Sequence, residues 1–167
     1  MEEAQIKKAL FPEMCGKKSF FQCQHEKLLA SSWHACYIME EEKSEPDWMI
    51  AQVVPDLFRL LSTHCMLEEE FMIFARYPDY FWHEKEHKEI LGYWRRCGKK
   101  DLTRQEKRQL IQESSHKLSQ HIASTDIHLR QYAAKYHFPD EISLLKMQGI
   151  RFPFSGLFPK KKEEKKR

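Results

Sequence analysis

Glycine is scarce in this chain, with five residues in 167, and that shortage argues against a sheet protein rich in tight turns. No apolar run approaches the ~18 residues needed to span a bilayer, so no transmembrane segment is expected. The opening MEEAQIKKAL lacks the basic-then-apolar pattern of a secretory signal, and the expectation is a soluble, cytoplasmic protein. The five cysteines form an odd, unclustered set with no CxxC pair, which suggests neither a zinc knuckle nor a disulfide framework and predicts reduced thiols. Net charge is only +3, and the basic excess lies in the terminal KKKEEKKR rather than in a stripe, so nucleic acid is not an expected partner.

What is present is helical patterning. Charged residues make up 32% of the chain and apolar residues 41%, a balance suited to long amphipathic helices around one core. Helical periodicity runs from about Lys18 to Glu42, with Phe21, Leu28, Leu29, Trp33, Cys36 and Tyr37 as the apolar positions. A second segment covers about Asp47 to Arg76, where Pro55 should start or bend the helix and Leu57, Leu60, Leu61, Met66, Leu67, Phe71 and Phe74 supply the apolar face. Tyr77-Pro78-Asp79 marks a turn. A third segment runs to Cys97 and closes at Gly98, a residue suited to the left-handed position beyond a helix end. Thr103 and Glu106 form a capping-box signature that opens a fourth helix reaching about Tyr136.

The fold class expected is therefore all-α, an up-down antiparallel four-helix bundle over residues 18–137. It has an N-terminal arm at 1–17 and, at 138–167, a C-terminal extension that packs in part through Ile142, Leu144, Leu145, Phe152 and Phe154 and ends in a disordered basic tail.

Seven candidate metal ligands are spread over these four helices: His25, then His64 and Glu68, then His83 and His87, then His121 and Asp126. Residues four apart share a helical face, so His64 with Glu68 and His83 with His87 can each address one interior site. The five-residue step from His121 to Asp126 turns about 500° and leaves the two roughly 140° apart on an ideal helix, which predicts a π-bulge between them. Imidazoles suit iron, copper and zinc, and carboxylates can bridge two ions and offset their charge. A bundle with these polar groups inward and no ion would bury them without partners, which is costly.

His34, His116, His128 and His137 match no ligand position. The aromatic series Tyr77, Tyr80, Phe81, Trp82, Tyr93 and Trp94 reads as helix packing, Cys23 and Cys65 as packing thiols, and the Glu-rich runs at 40–42 and 68–70 as solvated surface apart from Glu68.

The order of these residues resembles the bacterial-type hemerythrins. That family's first motif, Asp-x-Gln-His-Lys-x-Leu, is matched in part by Gln24, His25 and Leu28, and its second, His-Phe-x-x-Glu-Glu-x-x-Met, by His64 to Met72. The third, Tyr-Pro-x-x-x-x-His-x-x-Glu-His, is met in full from Tyr77 to His87. Leu118, His121, Ile122 and Asp126 meet the fourth, Leu-x-x-His-Ile-x-x-x-Asp. Gln22, Cys65 and Lys117 depart from the pattern, standing where the family has Asp, Phe and Trp.

The resemblance implies a cofactor of two non-heme iron ions with an oxo or hydroxo bridge. His83, His87 and His121 would hold one iron, His25 and His64 the other, and Glu68 and Asp126 would bridge them. Leu118 would line an oxygen pocket. The implied function is reversible dioxygen binding for carriage, storage or delivery, without enzymatic turnover, and the implied partners are dioxygen and an oxygen-consuming enzyme or signalling protein. The alternatives are a di-iron redox enzyme acting on nitric oxide or peroxide, and an oxygen or iron sensor signalling through the C-terminal extension.

Overall fold

The computed structural model describes residues 19–40, 47–99 and 101–138; the arm at 1–17 and the extension at 139–167 lie outside the described residues. Four helices follow in chain order: α1 Phe20–Glu40, α2 Asp47–Ala75, α3 Tyr80–Cys97 and α4 Arg104–Lys135. Each packs against two others, α1 against α2 and α4, and α3 against α2 and α4. The result is the expected all-α four-helix bundle, with no strand among the described residues. No helix among them is long and apolar enough to cross a membrane.

Local signals explain most of the helix ends. The Thr103 hydroxyl accepts from the Glu106 amide at 3.3 Å while the Glu106 carboxylate accepts from the Thr103 amide at 2.8 Å, completing the capping box. Pro55 lies inside α2 without ending it. The Ala51 carbonyl, which loses its helical donor there, belongs to a solvent-exposed turn, so water can replace the missing bond.

The expected left-handed glycine is not found: Gly98 has φ −78°, because the Lys99 amide reaches the Arg96 carbonyl at 3.1 Å and closes the helix in a tight right-handed turn. The left-handed positions are instead Arg76 (φ 51°) and His137 (φ 54°). At each, the next amide turns back to the last helical turn, from Tyr77 to the Met72 carbonyl at 2.9 Å and from Phe138 to the Ala133 carbonyl at 3.1 Å. This is the Schellman arrangement, here built without glycine.

The bundle interior is layered. One apolar cluster contains Leu28, Ile38, Leu57, Leu61, Cys65, Ile90, Trp94, Ile111 and Leu118. A second contains Phe21, Leu67, Phe71, Met72, Tyr77 and Leu129. Every helix contributes polar residues to the space between them: His25 between Phe21 and Leu28, His64 and Glu68 around Leu67, His83 and His87 between Tyr77 and Ile90, His121 and Asp126 between Leu118 and Leu129.

Several apolar positions face differently from expectation. Trp33, Tyr37, Met66 and Phe74 are exposed, and α1 buries Ser32, Ala35 and Met39 instead, the first two small enough to let α1 approach its neighbours. Phe81 and Trp82 are also exposed, at 79% and 71%, since they occupy the outer side of the turn that carries His83 inward. Cys36, Cys65 and Cys97 are free thiols as expected. Cys23 is not, being disulfide-bonded.

Candidate metal centre

All seven residues singled out by motif converge in the polar layer, and all seven are buried. They form two overlapping groups of donor atoms: Glu68, His83, His87, His121 and Asp126 in one, and His25, His64, Glu68 and Asp126 in the other. Glu68 and Asp126 belong to both. His34, His116, His128 and His137 are in neither group.

Asp126 divides its two oxygens between the groups, whereas Glu68 Oε2 faces histidines of both. Asp126 Oδ1 lies 2.9 Å from His121 Nε2 and 3.1 Å from His83 Nε2, while Oδ2 lies 3.0 Å from His25 Nε2. Glu68 Oε2 lies 3.3 Å from His83 Nε2, 3.4 Å from His87 Nε2 and 3.5 Å from His64 Nε2, with Oε1 turned toward His25 Nε2 at 3.6 Å. Two donors held at right angles about 2.1 Å from one ion stand about 3 Å apart, close to the 2.9–3.1 Å between Asp126 and its three imidazoles, while the Glu68 contacts are longer.

Direction adds to distance. The Nε2 atoms of His25, His64, His83, His87 and His121, together with Glu68 Oε2 and both Asp126 oxygens, are buried without a hydrogen-bond partner. So many orphaned polar atoms in one core would be strongly unfavourable unless something binds them. The opposite ring nitrogens explain the orientation of three of the histidines. Nδ1 of His64 faces Gln24 Oε1 at 3.1 Å, Nδ1 of His87 faces Glu69 Oε1 at 2.9 Å, and Nδ1 of His121 faces Glu86 Oε2 at 2.8 Å. Each of these oxygens can only accept, so Nδ1 donates and carries the proton. In the neutral ring that leaves the Nε2 lone pair pointing inward.

The helix between His121 and Asp126 is continuous α-helix, with no π turn. The predicted bulge is unnecessary because the two side chains straddle the inward direction, each about 70° from it on an ideal helix, and their terminal atoms still meet at 2.9 Å.

Charges in the cluster are strongly coupled. Burial disfavours charge on His25, yet Asp126 and Glu68 outweigh it and hold its imidazole up at about 9. Burial dominates at His64, which falls to about 4 despite Glu68. Burial also opposes charge on His83 and His87, but Asp126 and Glu68 outweigh it at His83, and Cys65, Glu68 and Glu69 outweigh it at His87, so both are raised. Glu68 and Asp126 are held well below the usual carboxylate range, burial being overcome by the imidazoles around them. Without an ion, His25, His83 and His87 therefore favour the charged form beside Glu68 and Asp126, and His64 favours the neutral one.

Gln24, Glu69 and Glu86 are functional neighbours that spacing does not pick out. Glu69 accepts from His87 and so departs from the solvated-surface reading of its run. Glu86 also accepts from Thr125 Oγ1 at 2.6 Å, and it lines a cavity of about 480 Å³ with Glu89, Ile90, Lys117, Gln120, His121, Ala123 and Ser124. Leu118 is completely buried in the larger apolar cluster.

This buried set of imidazoles and carboxylates can hold a metal ion, and its two overlapping donor groups are compatible with a pair. No protein-family model, curated protein or solved structure matches the chain.

Proposed function

We propose that the chain is a hemerythrin-like protein whose cluster holds two iron ions and binds dioxygen reversibly. The observation that carries this reading is the convergence of five unpartnered Nε2 atoms on two carboxylates shared between two donor groups. His83, His87 and His121 would hold one ion and His25 and His64 the other, with Glu68 and Asp126 shared between the two. Bound iron supplies the electrons that dioxygen needs; the protein supplies orientation, charge balance and exclusion of bulk water.

The arrangement of the protein's own residues supports those tasks. Gln24, Glu69 and Glu86 fix three imidazole rings from behind. Two carboxylates offset part of the charge of two cations, and the neutral histidines leave coordination positions open for a small ligand. Leu118 and the apolar layers on either side keep the centre dry, which slows irreversible oxidation.

A second reading, redox catalysis on nitric oxide or peroxide at the same centre, is favoured by the cavity that reaches His121 and Glu86. It would let solvent or a small reductant approach one ligand edge.

An optical spectrum of iron-quantified, anaerobically reduced protein, followed through oxygen addition and removal, distinguishes the two. At two irons per chain, a ligand-to-iron charge-transfer band that develops with oxygen and is lost on its removal is the expected result. Irreversible oxidation with consumption of reductant would move the conclusion to catalysis. A protein that takes up no iron would overturn both.

A further inference from the structure

The three histidines with partners behind them are not backed alike. His87 and His121 donate to carboxylates, Glu69 Oε1 at 2.9 Å and Glu86 Oε2 at 2.8 Å. His64 donates to the neutral amide oxygen of Gln24 at 3.1 Å. Both carboxylates thus lie behind the group that contains three histidines, and the amide lies behind the group that contains two.

An ionised acceptor does more than orient a ring. It makes the imidazole a stronger donor to a cation at Nε2, and it places a negative charge one ring away from that cation. Glu86 is also fixed in place, because Thr125 Oγ1 donates to the same oxygen at 2.6 Å. Gln24 gives His64 the same tautomer without the charge. Resting on the metal-centre reading above, we infer that Glu69 and Glu86 are positioning residues that set a loading order, making the three-histidine position fill first and hold its ion more tightly. The two-histidine position is left as the weaker, more exchangeable one.

Histidine number alone also favours that order, so the test must leave all seven ligands in place. The full chain, freed of metal, is titrated with cobalt(II) against a competing chelator, and two stepwise affinities are read. His64→Ala and His25→Ala identify the steps: each should keep the first and lose the second. Glu69→Gln and Glu86→Gln preserve size and the accepting oxygen while removing charge. Each should weaken the first step by roughly 10–100-fold and leave the second in place, with circular dichroism confirming unchanged helix content. Gln24→Glu should tighten the second step and narrow the gap.

Equal affinities in the unaltered chain, or a first step that neither Gln variant moves, would overturn the loading order while leaving the metal centre standing. A chain that binds no cobalt and no iron would overturn the centre itself.

Discussion

Asp126 Oδ2 stands 3.0 Å from His25 Nε2, tying the latter half of α4 to the start of α1 across the bundle. Its other oxygen faces His83 and His121, so this one carboxylate serves both donor groups, as Glu68 does. Asp126→Ala should therefore lower metal content from two ions per chain toward none, whereas His64→Ala should lower it toward one. Elemental analysis of purified variants reads the difference directly, and two ions retained in Asp126→Ala would refute the bridging role.

Protons and metal compete for the same atoms, which gives the pH dependence a definite sign. Folding raises His25 to about 9, so in the metal-free chain its contribution to stability is complete below an unfolded value of about 6.5 and is lost as pH rises through 9. Metal must displace that proton, so apparent metal affinity should climb as pH rises through about 9, and the raised His83 and His87 act in the same direction. Thermal unfolding of both forms over this interval should show the metal-free midpoint falling while the stabilisation conferred by metal widens. A flat metal-free midpoint would count against the cluster described here.

The parts of this molecule that were legible in its sequence are those encoded by spacing along one helix. Four-residue steps announce the His64–Glu68 and His83–His87 faces, and Thr103 with Glu106 announces the start of α4. Relationships formed between helices left little trace. Glu86 acquires its role only when α4 brings His121 and Thr125 against α3. The inward face of α1 is not legible from its largest apolar residues: Trp33 and Tyr37 are exposed, and Ser32 and Ala35 pack there instead. The π-bulge expected between His121 and Asp126 is absent for a related reason: side-chain reach, and not Cα direction alone, decides where their terminal atoms meet.

The two left-handed residues make a prediction about stability alone. Arg76 and His137 occupy a conformation that costs a residue with a Cβ roughly 1–2 kcal/mol relative to its favoured regions. Glycine avoids most of that cost but gives up more chain entropy on folding. Arg76→Gly should consequently stabilise the bundle by about 0.5–1 kcal/mol, the left-handed cost less the entropy cost of glycine, with His137→Gly acting in the same direction, measured as the shift in chemical denaturation midpoint at constant slope. Destabilisation by Arg76→Gly would mean that the side chain contributes more than its backbone conformation costs.

Leu118 separates stability from function most sharply. It is fully buried, one turn before His121 on α4, in the apolar layer that closes one side of the polar cluster. Leu118→Ala should cost about 2–5 kcal/mol of stability, the range for a large-to-small change in a packed core, yet it removes no candidate ligand. If that layer keeps water from the centre, the variant should still load two ions but should lose its oxygen-bound spectrum faster than the parent. Leu118→Met, which nearly conserves volume, should restore most of the stability and slow that loss. Metal content, unfolding midpoint and the decay of the oxygenated spectrum can be measured on the same samples. An Ala variant that is less stable but decays at the parental rate would assign Leu118 to packing alone and place the barrier to water elsewhere, with the cavity beside His121 and Lys117 the next position to fill.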